Sequence, residues 1–311
     1  MLAAGGALGL HAWLGGLAPR RAHASADASK TVAKEAWARI DRLGENVWSV
    51  ISDPLSGNYL TVCNGGIIAG ANRVLLFDAF MNPDGAKWVA EQAKALTGRW
   101  PTDVVISHYH GDHVNGLSGL CRDGESPRVW VTEHTRTRTL ETDAANSDRA
   151  DARRAAMLEA ADVIPPGGPT RIDLGGRTIT LHAHAGHTGS DVTLSFEDPG
   201  TIFWADLLWI GMFPNYRDAI PSRLSATVRR LAAREVKYHV SGHGPVATKE
   251  SLAAYLGMLD HIEAAARTAH EKGLSAEEAA KAYKLPAANA DWHLFQPTYF
   301  QSAIDAWYRE L

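Results

Sequence analysis

The run His108-Tyr109-His110-Gly111-Asp112-His113 constrains this chain more than any other part of it. Three imidazoles and a carboxylate within six residues form a metal site written almost in full. Imidazole nitrogen and carboxylate oxygen are donors that suit zinc, and donors on alternate residues can reach one ion from an extended segment. Before the run, Asp103-Val104-Val105-Ile106-Ser107 is apolar and β-branched, the pattern of a buried strand. After it, Val114-Asn115-Gly116-Leu117 reads as the opening turn of a helix. The donors are therefore expected on a strand-to-helix loop at one end of a sheet, where active sites of layered α/β proteins collect.

Four other stretches repeat the theme of a strand or turn ending in a donor. They are Leu75-Leu76-Phe77-Asp78, Ala185-Gly186-His187-Thr188, Phe203-Trp204-Ala205-Asp206 and Ser241-Gly242-His243-Gly244-Pro245. In this order, with H-x-H-x-D-H after an apolar strand, the set resembles the signature of the metallo-β-lactamase-fold hydrolase superfamily over most of the chain. The resemblance implies a four-layer αβ/βα sandwich, with two stacked mixed sheets and outer helices. It also implies a ligand set. One metal would take His108, His110 and His187, a second would take Asp112, His113 and His243, and Asp206 would bridge them. Asp78 would orient a ligand imidazole, and Asp112 would also act as the catalytic proton shuttle.

Each ion then keeps a position open, which marks catalytic rather than structural zinc. Coordination brings the pKa of a bound water to near 7, so a nucleophile exists without a Ser or Cys. His110 stands where the di-iron flavoprotein branch has Glu, so the resemblance favours two zinc ions per chain over iron or manganese. Asp206 at the bridge resembles the glyoxalase II-like and broad hydrolase branches; β-lactamase branches carry Cys or Ser there. The implied activity is cleavage of an ester, thioester, lactone or amide bond, β-lactams included, through a metal-bridging hydroxide. The alternative is a mononuclear iron sulfur dioxygenase of the same fold. Of the basic residues that would clamp a glyoxalase-type substrate, only Lys281 and Lys284 lie nearby. His182, His184, His239, His261 and His270 match no ligand position and read as packing or surface groups.

Bulk composition narrows the partners. With 45% hydrophobic and 21% charged residues in 311, the chain has the makings of a globular protein with a sizeable core. A net charge of -4 leaves no broad basic surface for nucleic acid, so the expected partner is a small-molecule substrate. The stretch from Arg136 to Arg154 interleaves its arginines with Glu133, Glu141, Asp143, Asp148 and Asp151, as a solvated helical face does. Cys63 and Cys121 read as inert thiols, and a single bridge between them stays open.

Residues 1–24 read as a signal peptide. Leu2 to Leu17 is apolar but too short to span a bilayer, and Ala22-His23-Ala24 follows Arg20-Arg21 as a cleavage pattern. The protein is thus expected to be periplasmic or secreted, with no membrane insertion after removal of the signal. The basic pair resembles twin-arginine export signals; an N-terminal extension of a cytoplasmic protein is the alternative. Residues 25–45 are expected as a polar lead-in with a short helix, 46–260 as the catalytic domain, and 261–311 as a helical extension packed on it. Tyr59–Val62 reads as a strand, Asn64-Gly65-Gly66 as a turn, and Pro297 as a first-turn residue of the last helix. Loops around 53–58, 212–221 and 289–297 offer Phe213, Tyr216, Arg217, Trp292 and Phe295 to a substrate. Tyr216, Arg217 and Trp292 are the specific candidates.

Overall fold

A computed structural model describes residues 30–146, 148 and 150–311, so the expected signal peptide lies outside the described residues. The first sheet has eight strands in sequence order: β1 Thr31–Lys34, β2 Ala38–Gly44, β3 Val47–Ser52, β4 Gly65–Ala69, β5 Val74–Phe77, β6 Asp103–Val105, β7 Arg128–Thr132 and β8 Asp162–Ile164. β1 to β5 pair antiparallel, and β5 to β8 pair parallel. Parallel neighbours need crossovers. These contain helices α1 Pro83–Thr97, α2 Gly111–Val114, α3 Glu133–Ala145 and α4 Ala152–Glu159. The second sheet holds β9 Thr170–Asp173, β10 Thr178–His184, β11 Asp191–Phe196, β12 Thr201–Phe203 and β13 Tyr238–Val240. Its only parallel pair, β12 with β13, is joined through α5 Pro221–Ala232. Then come α6 Lys249–Glu271, α7 Ala276–Ala282 and α8 Tyr299–Tyr308.

Three apolar clusters separate four layers. Side chains of successive strand residues point to opposite faces. In β5, Val74 and Leu76 pack outward with Ala86, Val89 and Ala93 of α1, while Leu75 and Phe77 pack inward with Ile179, Leu181 and Leu194 of the second sheet. A strand covered on both faces reads as a continuous apolar run, and β5 does. The third cluster joins Ile202 and Trp204 to Tyr255, Leu259 and Ile262 of α6 and to Trp307 of α8. Phe77 and Phe203 meet between the sheets with ring centroids 5.7 Å apart. Gly66 admits this contact, since a Cβ there would lie 2.5 Å from the Phe203 ring.

The helix signals hold. Asn82 caps α1 and Gly98 closes it at φ 77; Thr248 caps α6; Ser275 and Glu278 form the capping box of α7. Other expectations are corrected. The lead-in over 25–45 contains β1 and β2 and no helix among its described residues, because Ile40 and Leu43 face opposite cores and Arg39 pairs with Asp41 along the strand. The sheet therefore begins before residue 46. Tyr59–Val62 is not a strand: Tyr59 is 60% exposed and Val62 sits at φ 67. Gly65-Gly66 opens β4 and is no turn. The helix after the His run starts earlier than read, at Gly111, so Asp112 and His113 lie within it. Pro297 precedes Thr298, the cap of α8. α6 runs through position 260, so the last helices share the core of the second sheet.

Candidate metal centre

All the sequence-selected donors gather at one end of the sandwich, on segments that leave strands. β5 hands over to Asp78, β6 to Ser107 and His108, β10 to His187, β12 to Asp206 and β13 to His243. Asp78 (φ 66), Phe80 (φ 62) and Ala205 (φ 48) take left-handed backbone conformations there. Such conformations are costly for residues with a Cβ, and persist only where surroundings enforce them. Ala205 is held by a hydrogen bond from the Gly242 amide to its carbonyl at 2.8 Å. Only glycine fits at 242, because a Cβ would lie 2.2 Å from Asp206 Oδ1. Asn64, at the start of β4, joins the two halves: its amide donates to the carbonyls of Ser241 (3.0 Å) and Gly244 (2.7 Å).

The donor atoms form two sets, each converging within 4.8 Å: His108, His110, His187 and Asp206, then Asp112, His113 and His243. In the first, His110 Nδ1 lies 3.1 Å from His108 Nε2 and 2.9 Å from His187 Nε2. In the second, Asp112 Oδ2 lies 3.5 Å from His113 Nε2 and 3.2 Å from His243 Nε2. Asp206 faces both. Its Oδ2 is 3.3 Å from His187 Nε2, and its Oδ1 is 3.1 Å from His113 Nε2 and 3.3 Å from His243 Nε2.

The outer atoms fix which nitrogen is free. Asp78 Oδ2 accepts from His113 Nδ1 at 2.8 Å, and Asp78 Oδ1 accepts from the Ser107 amide at 2.8 Å. Asp218 Oδ2 accepts from His110 Nε2 at 2.9 Å. With those protons engaged, His113 Nε2 and His110 Nδ1 turn bare lone pairs inward, as carboxylate–histidine pairs do at metal sites. His113 Nε2, His243 Nε2 and Asp206 Oδ1 are buried without a hydrogen-bond partner. Buried polar groups are normally satisfied. Convergent orphans of this kind fit a divalent cation, and nitrogen-rich ligation with two carboxylates suits zinc.

Charge reinforces the geometry. Burial alone would raise Asp206, yet His243, His113 and His187 hold it well below the carboxylate range. Asp112 is likewise brought to about 2 by His113 and His243 against its burial. Burial would lower His243, but Asp206 and Asp112 raise it to about 9. His187 goes the other way, to about 3, chiefly through burial. Solvent reaches the cluster at His110, Asp112 and Asp218, whose side chains are 15%, 21% and 31% exposed. A concavity of about 970 Å³ between β2, β13 and α6 contains none of these donors.

The substrate candidates fare unevenly. Tyr216 is corrected: it is fully buried in the core between the second sheet and the C-terminal helices, because the loop after β12 folds inward. Phe213 is buried beside it, and Trp292 packs half-buried against the same core. Arg217 is exposed; burial, then Asp112 and Asp206, push the Tyr299 hydroxyl up, and Arg217 opposes them. Asp218, Ser107 and Trp209 escaped the sequence reading. Ser107 Oγ donates to Asp78 Oδ2 at 3.0 Å and lies 3.0 Å from His108 Nδ1. Trp209 lies on His243 with ring centroids 4.1 Å apart. No spacing rule marks Asp218, 108 residues from its imidazole. Both cysteines are free, Cys63 buried and Cys121 half-buried.

Comparison with known proteins places this arrangement. The family model described as Metallo-beta-lactamase superfamily matches residues 58–243. A protein named hydroxyacylglutathione hydrolase, from Acidiphilium cryptum, is 30% identical over 217 residues, covering 68% of this chain and 77% of its own. Among solved structures, a metallo-beta-lactamase from Pontibacter korlensis superposes with TM-score 0.58 at 21% identity, over 72% of this chain and 99% of that one. An inverting sec-alkylsulfatase from Pseudomonas sp. reaches TM-score 0.66 at 15% identity, over 88% of this chain and 50% of that one. At such identities these likenesses speak for the fold.

Proposed function

The chain belongs to the metallo-beta-lactamase superfamily, and from that premise we propose that it is a binuclear zinc hydrolase acting on an ester or thioester. The observation that carries the reading is the Asp206 carboxylate, which gives one oxygen to each of two converging donor sets. His108, His110 and His187 would hold one ion, Asp112, His113 and His243 the other, with Asp206 between them. Two ions so held would supply an activated water at neutral pH and polarise the bond to be cleaved. Thioesters come first among substrates because a relative bears the name hydroxyacylglutathione hydrolase; lactones and amides belong to the same acyl-transfer chemistry.

The chain's own residues do the remaining work. Asp78 and Asp218 keep His113 and His110 in the tautomers that face inward. Ser107 ties Asp78 to the His108 and His113 rings. Asp112, at the solvent edge of the second set, is placed to pass a proton to the leaving atom. Export belongs to the same proposal and rests on the sequence of residues 1–24.

The test is metal content per chain after purification without chelator. Two zinc ions with hydrolysis of a thioester panel support the reading; one iron, little zinc and oxygen uptake replace it with a sulfur dioxygenase. Asp112→Ala is expected to retain the ions' partners His113 and His243 but lose turnover; full turnover in that variant would remove the proton-shuttle role.

A further inference from the structure

Resting on the hydrolase reading, we propose that Phe295 determines specificity: with Trp209 it walls the His243 side of the site and selects substrates with an apolar, aryl-like group beside the cleaved bond. The segment carrying Phe295 is registered against the loop after β12 by two backbone hydrogen bonds. Phe213 N donates to His293 O at 2.8 Å, and His293 N donates to Gly211 O at 3.0 Å. That pairing sets Phe295 with its ring centroid 5.9 Å from His243 and 5.9 Å from Trp209, the latter at 80°. His293 braces it edge-on at 4.9 Å and 89°.

Trp209 is buried and spent on His243, its indole nitrogen donating to the Asp206 carbonyl at 3.1 Å. Phe295 is only half-buried, packed at the margin of the core beneath the C-terminal helices. His243 Nε2 is one of the convergent donor atoms, so a group attached next to the reacting bond comes within reach of the Phe295 ring. An aromatic ring gains from a second ring packed edge-to-face or offset against it, beyond the area buried.

The experiment uses the metal-loaded full chain, with acetyl and phenylacetyl thioesters of one thiol, and with acetate and phenylacetate as product-like ligands in calorimetry. Wild type is expected to prefer the phenylacetyl member of each pair. Phe295→Ala is expected to shrink that preference about tenfold, through KM more than kcat, while Phe295→Trp keeps it. Phe295→Leu serves where the Ala variant fails to fold, with a smaller shrinkage of the same sign. Unchanged discrimination in a folded variant that still turns over would overturn the aromatic wall and leave the hydrolase intact. Discrimination between the two carboxylates that depends on Phe295, without hydrolysis of either thioester, would uphold the wall and sink the hydrolase.

Discussion

The two halves of the molecule contribute to the same centre in opposite ways. The first sheet delivers four donors from one six-residue run, on the turn from β6 into α2. Their outer partners, Asp78 and Ser107, are fully buried and interlinked. The second sheet delivers three donors, His187, Asp206 and His243, each from a different connection. One of its contributions to orientation, Asp218, sits on a loop open to solvent. Compactness makes the first half conspicuous in sequence and stiff in structure. Dispersal makes the second half dependent on the packing of a whole sheet to bring its donors together.

If Asp206 is where the halves meet, Asp206→Ala should have the largest consequence. Both sets lose a donor, so neither ion should survive dialysis, and kcat should fall by at least about 100-fold. Loss of only one ion would show that the halves bind independently. The next effect is smaller and one-sided. Asp218→Ala frees the His110 ring, and should weaken the first set roughly 10–100-fold while sparing the second; competition with a chromogenic chelator reads both affinities. Equal weakening of the two would erase the distinction.

The mildest test concerns pH in the chelator-treated protein. His243 is raised from 6.5 to about 9 by Asp206 and Asp112, so its pairing stabilises fully below 6.5 and fades as pH rises through about 9. Asp112 is lowered from 3.8 to about 2, so its contribution is present above 3.8 and fades only as pH falls through about 2. The metal-free protein should therefore melt several degrees lower at pH 10 than at pH 6, and loading with zinc should flatten that slope. A flat profile without metal would mean that His243 is engaged neither with Asp206 nor with Asp112 across the seam.

How much was legible follows the same division. The His run and the β5 motif could be read because donor spacing and an apolar run on one strand are local signals. The helix α2 was misplaced because four residues show no period. β1 and β2 were missed because β1 buries none of its residues and β2 divides its large apolar side chains, Ile40 and Leu43, between two cores. Asp218 was invisible because its partner is 108 positions away. Tyr216 misled because loops look solvent-facing in sequence, whereas this one turns its aromatics into the layer beneath α6.

Asn64 gives the arrangement a mechanical meaning. Its side chain accepts from Ser52 N at 2.9 Å and donates to the segment around His243, so it buttons one lobe to the other beside the donors. Since each donor set draws on both lobes, a cation held there is a cross-link between them. Its binding free energy then adds to cohesion across the seam. Retention of the ion becomes a gauge of closure: a protein whose lobes have begun to part would leak metal before it lost its strands.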